Sequence, residues 1–312
     1  MKIFYLEKGY DFIKDIKKSP IRYNGNKYKV IKKGLTDYFP KNIDTLIEPF
    51  CGSGTVSLNT LGNKYILNDN LKEVTSLLKM FQENKDITNN IENILKEYDL
   101  LYLNNISHDN RSKNFNKEIY QKHIIKYNKL REDYNKTKDI VLLFILTIFS
   151  FSHNIRFNRN NEFNMPVGNG SYNNQYIKDI KQFQEWLKNN KIHITNKDFR
   201  ELNINKIKRN DFVYLDPPYL ITIGTYNENN NWIEKDEIDL YNLCDKLHNN
   251  GIKFGLSNVI FHKDKENTIL KDFIKKYNYI DLDITYSSMG KGNKNSKEIF
   301  VYNYDIKEMN NE

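Results

Sequence analysis

Cysteine, proline and tryptophan are scarce in this chain of 312 residues, with two, six and two copies respectively. Cys51 and Cys244 lie far apart, with no CxxC spacing and no histidine cluster beside them. No disulfide framework or zinc pattern follows from them, so the chain reads as one that folds in a reducing cytoplasm. Long apolar runs are missing as well. The longest, Ile140 to Phe149, is too short to span a membrane and predicts a buried helix, so no membrane partner is expected. Charges interrupt the N-terminal MKIFYLEKGYDFIKD too early for a signal peptide. Repeats and long blocks of like charge are absent too.

What is present is basic and aromatic: the net charge is +8 and 13% of residues are Phe, Trp or Tyr. That balance fits a folded nucleic-acid binder better than a disordered basic tail. The charge decides nothing alone, because a chain rich in Lys, Asn, Ile and Tyr can be basic through genome composition. The length allows one large domain or two smaller ones with a sizeable core.

Along the chain, residues 1–18 form a leader, followed by a Lys-rich approach and a helix predicted over 28–38. Thr45–Glu48 reads as a strand, Pro49 to Gly54 as a Gly-rich turn, and a helix is expected from about Thr55. Tyr65–Leu67 is a second strand ending at Asn68-Asp69-Asn70. Strand, glycine turn, helix, strand and acid make half of a nucleotide-binding α/β sheet. From 72 to 150 the periodicity is helical. Strand patterns return at 191–196, 212–215, 252–256 and 279–286, with 298–304 as an edge strand paired to 279–286. An α/β sheet is thus interrupted by a helical insert and resumed.

Phe50-Cys51-Gly52-Ser53-Gly54 occupies the first βα turn. Glycines there let backbone approach a ligand, and the helix start offers free N–H groups. The full G-x-G-x-x-G and the Gly-Lys-Ser/Thr of a phosphate cradle are both missing. A ligand with a carboxylate and an amino group fits better, pointing to S-adenosylmethionine rather than NAD or ATP. Asp69 follows Gly52 by 17 positions, near the ~20-residue offset at which an acid meets ribose hydroxyls; a helix N-cap is the plain alternative. Asp198-Phe199 follows the third strand, and Phe199 can flank an adenine or simply be core. Arg156 to Pro166, with Asn160-Asn161 as turn formers, reads as a polar hairpin or loop.

Asp216-Pro217-Pro218-Tyr219 is the most informative stretch. An apolar strand, Phe212 to Leu215, stops at two prolines that have no N–H and hold the turn rigid. The turn presents acceptor oxygens from Asp216 and Pro217 beside the ring of Tyr219. That suits a planar substrate with an exocyclic amine, such as an adenine turned out of a duplex. Taken alone, it fits equally well a strand ended by a Pro-Pro turn.

Five pieces in order make the chain resemble the Dam-type, alpha-group DNA adenine-N6 methyltransferases. They are Ser19 to Lys27, Glu48 to Gly54, Asn154–Asn158 with Glu162–Pro166, Asp216–Tyr219, and Ser287-Ser288 before Glu298–Val301. The resemblance implies a Rossmann-like class I methyltransferase sheet, 19–71 with 170–312, that binds S-adenosylmethionine. Residues 72–169 would be an inserted helical target-recognition domain. It implies Tyr23, Lys27, Phe50, Gly52, Gly54, Asp69, Asp198, Phe199 and Asp216 at the cofactor, with Lys27 at its carboxylate end. Asp216, Pro217 and Tyr219 would be catalytic, and Arg22, Phe151, Asn154, Arg156, Asn164 and Pro166 would contact DNA. The implied partners are double-stranded DNA and, where a restriction system is present, a separately encoded endonuclease. Asn24-Gly25-Asn26 replaces the usual Ala-Gly-Gly or Pro-Gly-Gly, Tyr23 replaces Trp, and residues 151, 152 and 154 depart from GATC-reading members. The target sequence therefore stays open. RNA adenine-N6 methylation, protein glutamine methylation and a non-catalytic DNA-binding module remain alternatives; Asp216, where glutamine methylases carry Asn, argues against the second.

Overall fold

The computed structural model describes residues 15–23, 25–100, 117–222, 232–282 and 296–306. Most of the leader, Asn24, Ser287-Ser288 and the 290–295 loop lie outside them. The framework is one sheet of strands β1 (Thr45–Glu48), β2 (Lys64–Asn68), β3 (Lys191–Thr195), β4 (Phe212–Leu215), β5 (Lys253–His262), β6 (Lys265–Glu266), β7 (Asn278–Asp281) and β8 (Ser296–Tyr302). Their order is β3-β2-β1-β4-β5-β8-β7, with β6 attached to β5. β1 to β5 run parallel, in registers such as Ile47 beside Ile66 and Val213. β8 enters antiparallel between β5 and β7.

Period-two alternation builds a core on each face of this sheet. Leu46, Phe212 and Tyr214 point into one cluster, while Ile47, Val213 and Leu215 point into the other. The second cluster is closed by α8 (Glu234–Asn249) and α9 (Thr268–Phe273). The first runs from the sheet into α3 (Lys72–Glu83), α4 (Ile87–Glu97), α5 (Lys117–Thr137), α6 (Ile140–Phe149) and α7 (Asn174–Asn189). Val74, Leu77, Leu78 and Phe81, spaced i, i+3, i+4 and i+7, give α3 its buried stripe. Each such side chain contributes about 1.5–3 kcal/mol on burial. α6 is apolar all round and buried from Val141 to Phe149, and the Asp139 carboxylate caps it by accepting from Val141 N at 2.7 Å.

Two expectations change. The helix expected over 28–38 is two pieces, α1 (Tyr28–Ile31) and a 3-10 turn at Leu35–Tyr38. Gly34 between them adopts φ 95°, a left-handed stop that ends a helix. The helix after the glycine turn, α2 (Thr55–Leu58), starts where expected and is a single turn. The last strand is not an edge: β8 pairs with β7 as expected but also with β5, which leaves β7 outermost.

The chain steps outward from β1 through β2 to β3, then returns to β4 on the other side of β1. This is a topological switch point, and ligands in open α/β sheets bind outside the carboxyl ends of the strands there. The glycine turn follows β1 and the Asp-Pro-Pro-Tyr turn follows β4, so both fall at that crevice. Among the described residues no helix is long and apolar enough to cross a membrane.

Candidate active site at the switch point

The glycine turn is fixed by its neighbours. Cys51 N donates to Asn68 O at 2.8 Å, and Gly52 N donates to Asp69 Oδ2 at 2.9 Å. Gly52 and Gly54 have φ of 48° and 68°, and a Cβ on Gly52 would meet the Tyr23 ring at 3.2 Å. A side chain at either position would strain the backbone, and at Gly52 it would also close the space that Tyr23 borders. Asp69 also accepts from Leu71 N at 2.9 Å, so it is not the N-cap of α3 but clamps loop to strand end. Burial pushes its carboxyl up to about 6, against the pull of these two backbone donors. Beneath the turn, Glu48 accepts from Ser57 N at 2.9 Å and from the Ser57 hydroxyl, and burial pushes it up to about 8.

Asp216 stands at the end of β4, its side chain 18% exposed. Its Oδ1 receives the Lys27 ammonium at 2.6 Å and the Tyr219 hydroxyl at 3.0 Å. Lys27 also lies 3.6 Å from Glu298 Oε1, and the same Tyr219 hydroxyl lies 2.8 Å from that atom. The ammonium sits 5.0 Å from the centre of the Tyr219 ring, close enough for a cation–π contact. Burial works against the Lys27 charge, but Asp216 and then Glu298 outweigh it and hold the ammonium above its ordinary value. Burial raises Asp216, and Lys27 pulls it back only in part. The resemblance implied that Lys27 meets a cofactor carboxylate; in the structure its ammonium lies between the carboxylates of Asp216 and Glu298.

Phe50, Phe199 and Trp232 form an aromatic trio beside the turn, with ring centres 5.2 to 5.7 Å apart. Trp232 escaped the sequence reading, as did its anchor. The buried Glu237 carboxylate accepts from Trp232 Nε1 at 2.6 Å and from Tyr241, Asn258 and Asn267. Asp198 is turned elsewhere: it caps the 3-10 turn at Phe199–Glu201 and pairs with Arg200, which also holds Asp236 and Asp239.

The polar segment after α6 is a hairpin, bridged at Phe157 with Phe163 and, nearer its base, at Ser150 with Val167. Its tip closes on the Asn158 side chain, which accepts from Asn160 N and Glu162 N, with Asn161 at φ 58°. α5 grips the far strand: Asn135 exchanges two bonds with the Phe163 backbone, and Tyr127 and Arg131 both donate to Met165 O. Arg156 Nε donates to Asn164 Oδ1 at 2.8 Å. Phe151 is 60% exposed, Pro166 is exposed and Asn154 partly so. Arg22 stacks over Tyr176 and pairs with the buried Asp179 at 2.9 Å, so it is held against α7.

A switch-point sheet with a glycine turn on one strand and an Asp-Pro-Pro-Tyr turn on the next defines a Rossmann-like methyltransferase. The chain belongs to the D12 class N6 adenine-specific DNA methyltransferase family, whose model matches residues 23–288. It is 32% identical over 305 residues to Modification methylase StsI of Streptococcus sanguinis, covering 94% of this chain and 44% of that protein. Type II methyltransferase M.FokI of Planomicrobium okeanokoites is 33% identical over 297 residues, covering 92% of this chain and 43% of its own. The DNA adenine methylase of Salmonella typhi is 25% identical, with 76% of this chain and 79% of that protein covered. The chain thus spans less than half the length of the first two relatives.

Proposed function

We propose that this chain transfers the methyl group of S-adenosylmethionine to N6 of an adenine everted from duplex DNA. The observation that carries this reading is the Asp216 carboxylate at the switch point. Lys27 and the Tyr219 hydroxyl both fall on its Oδ1, which leaves Oδ2 and the Pro217 carbonyl for an incoming amine.

The residues present fit the cofactor. Phe50, Phe199 and Trp232 offer ring faces to its adenine, the Asp69 carboxylate has lone pairs left for ribose hydroxyls, and Gly52 keeps the backbone bare beside Tyr23. Once bound, it supplies a methyl group made electrophilic by a sulfonium. Everything else is the work of the chain. The N6 lone pair of adenine is delocalised into its ring, so the amine is a poor nucleophile. Asp216 Oδ2 and the Pro217 carbonyl accept its two hydrogens and favour a pyramidal nitrogen with its lone pair free. Placement and electrostatics then suffice, with no dedicated base. Asp216 takes the proton that the alkylated amine sheds, or passes it to water. The Tyr219 ring stacks on the everted base, offsetting an extrusion cost of a few kcal/mol.

The exposed hairpin supports the assignment of 72–169 as the target-recognition part, with 19–71 and 170–312 as the catalytic part. Arg156 and Asn164 stand at its stem and Phe151 at its base, placed for base edges and for insertion. Double-stranded DNA is the partner in this reading, with a separately encoded endonuclease where the chain serves a restriction system, and the site of action is the cytoplasm. RNA adenine is the runner-up substrate.

Radiolabelled methyl transfer to duplex DNA, to the same duplex without adenine, and to RNA tests the reading. Asp216→Ala leaves Lys27 paired with Glu298, so the fold should survive while transfer falls by about 1,000-fold. A variant within tenfold of wild type, or label that goes to RNA or to adenine-free duplex, would refute it.

A further inference from the structure

Glu298 has no counterpart in the chemistry above, yet it sits in the most crowded part of the site. It opens an apolar run: Ile299, Phe300 and Val301 are fully buried, and Glu298 itself is 3% exposed. A β-branched residue would suit that strand position. A carboxylate there costs several kcal/mol of desolvation unless partners offset it. Its location follows from strand direction. Because β8 runs antiparallel to β5, the beginning of β8 reaches the carboxyl edge of the sheet, where β4 delivers Asp216. Opposite Glu298, the β5 register shifts between Val259 and Phe261, an irregularity of the kind that re-aims side chains next to active sites.

Glu298 shares two partners with Asp216. Its Oε1 meets the Tyr219 hydroxyl at 2.8 Å and the Lys27 ammonium at 3.6 Å, and both also bind Asp216 Oδ1. Lys27 and Tyr219 thus bridge two carboxylates, and the ammonium has a further anchor in the Gly25 carbonyl at 3.2 Å. Without Glu298, the hydroxyl loses one of two acceptors and the ammonium one of two carboxylates, so both can shift on Asp216.

We propose that Glu298 is a positioning residue, which pins Lys27 and Tyr219 on Oδ1 of Asp216 and so keeps Oδ2 turned toward the target amine. This rests on the adenine-methylation reading and names a component of the same site. It makes a demand that an ordinary core residue would not. Two carboxylates share one ammonium here, so an apolar residue at 298 strands no charge: Lys27 and Asp216 remain as a matched pair. Glu298→Leu should therefore fold as stably as wild type, or more so, and yet be slow.

The test takes the full chain through thermal unfolding, titration with S-adenosylmethionine, DNA binding and steady-state methyl transfer against pH. For Glu298→Leu, kcat should drop about 10–100-fold, as for losses of outer-shell partners, with affinities for both ligands held within about threefold. Glu298→Gln, which keeps an acceptor for the tyrosine hydroxyl, should recover part of the rate. The groups facing Asp216 are Lys27, Glu298 and Tyr219 directly, with Tyr23, Tyr214 and Glu48 behind them. Removing the Glu298 charge relieves repulsion on Asp216, so the acid limb of kcat should move to lower pH in both variants.

Wild-type kcat in Glu298→Leu overturns the proposal. So does a parallel loss of stability and rate with an unmoved acid limb, which marks a purely structural residue. If Glu298→Leu fails to fold, Tyr219→Phe decides, since it removes only the bridging hydroxyl: a several-fold lower kcat supports the proposal and a wild-type value refutes it. Failure of the underlying reading looks different, because wild type itself then puts no label into duplex adenine.

Discussion

Lys27→Met is the most demanding single perturbation of this site. The ammonium is 4% exposed and lies between Asp216 at 2.6 Å and Glu298 at 3.6 Å. Removing one partner from a buried charge cluster leaves the others uncompensated and costs about 3–5 kcal/mol. Here two carboxylates would remain, sharing the Tyr219 hydroxyl. In wild type the folded Lys27 is held above its ordinary value, so its stabilisation persists below the unfolded pKa of about 10.4 and fades only as pH rises past it. In the variant, burial and repulsion carry Asp216 further above its unfolded value of about 3.9. Between those two values the folded state binds the extra proton. Stability must then fall as pH rises, by at most about 1.4 kcal/mol per pH unit. Guanidinium unfolding at about pH 4 and about pH 8 should show the larger deficit at the higher pH. Adding Glu298→Leu should recover much of the loss, because one of the stranded charges is gone. An equal deficit at both pH values, or a total below about 1 kcal/mol, would show that Lys27 does not hold the two acids together.

Two further outcomes follow from the cofactor side. Ribose hydroxyls need an ionised Asp69, whose carboxyl is pushed up to about 6, so affinity for S-adenosylmethionine should drop about tenfold one unit below that pKa. Calorimetry across that range checks it, and a flat affinity, or a wild-type profile in Asp69→Asn, would remove the ribose role. Trp232 is one of two tryptophans, and the other, Trp186, is stacked on Phe183. In a Trp186→Phe background, Trp232 emission should change on cofactor addition, and Trp232→Ala should weaken binding about tenfold, or 1.4 kcal/mol. Unaltered emission together with unaltered affinity would move the adenine away from the trio.

The parts of the molecule that were legible in the sequence are those set by neighbours along the chain. The alternation of Phe212 to Leu215, the glycines after β1, the paired prolines and the Asn-rich hairpin tip each encode their own geometry. Gly34 carries a stop signal of the same local kind, yet the helix expected over 28–38 ran through it. What escaped is set by partners far away in sequence. Glu298 stood within a motif quoted only as a pattern, and its role depends on Lys27, 271 positions earlier. The interior position of β8 depends on β5 accepting it, which alternation cannot report. Trp232 follows a polar stretch and reads as a loop residue until Glu237 is seen to hold its indole. The cap that Asp198 makes and its pair with Arg200 were not read from the sequence either.

The manner in which α5 grips the hairpin has a consequence for how such a protein changes over generations. Asn135, Tyr127 and Arg131 all fasten onto peptide groups of residues 163 and 165, which every amino acid possesses. The outward side chains at 154, 156, 164 and 166 can therefore be exchanged while the perch that displays them stays where it is. If the hairpin reads the target as proposed, a lineage built this way can drift from one recognition sequence to another by small edits, leaving the catalytic corner untouched.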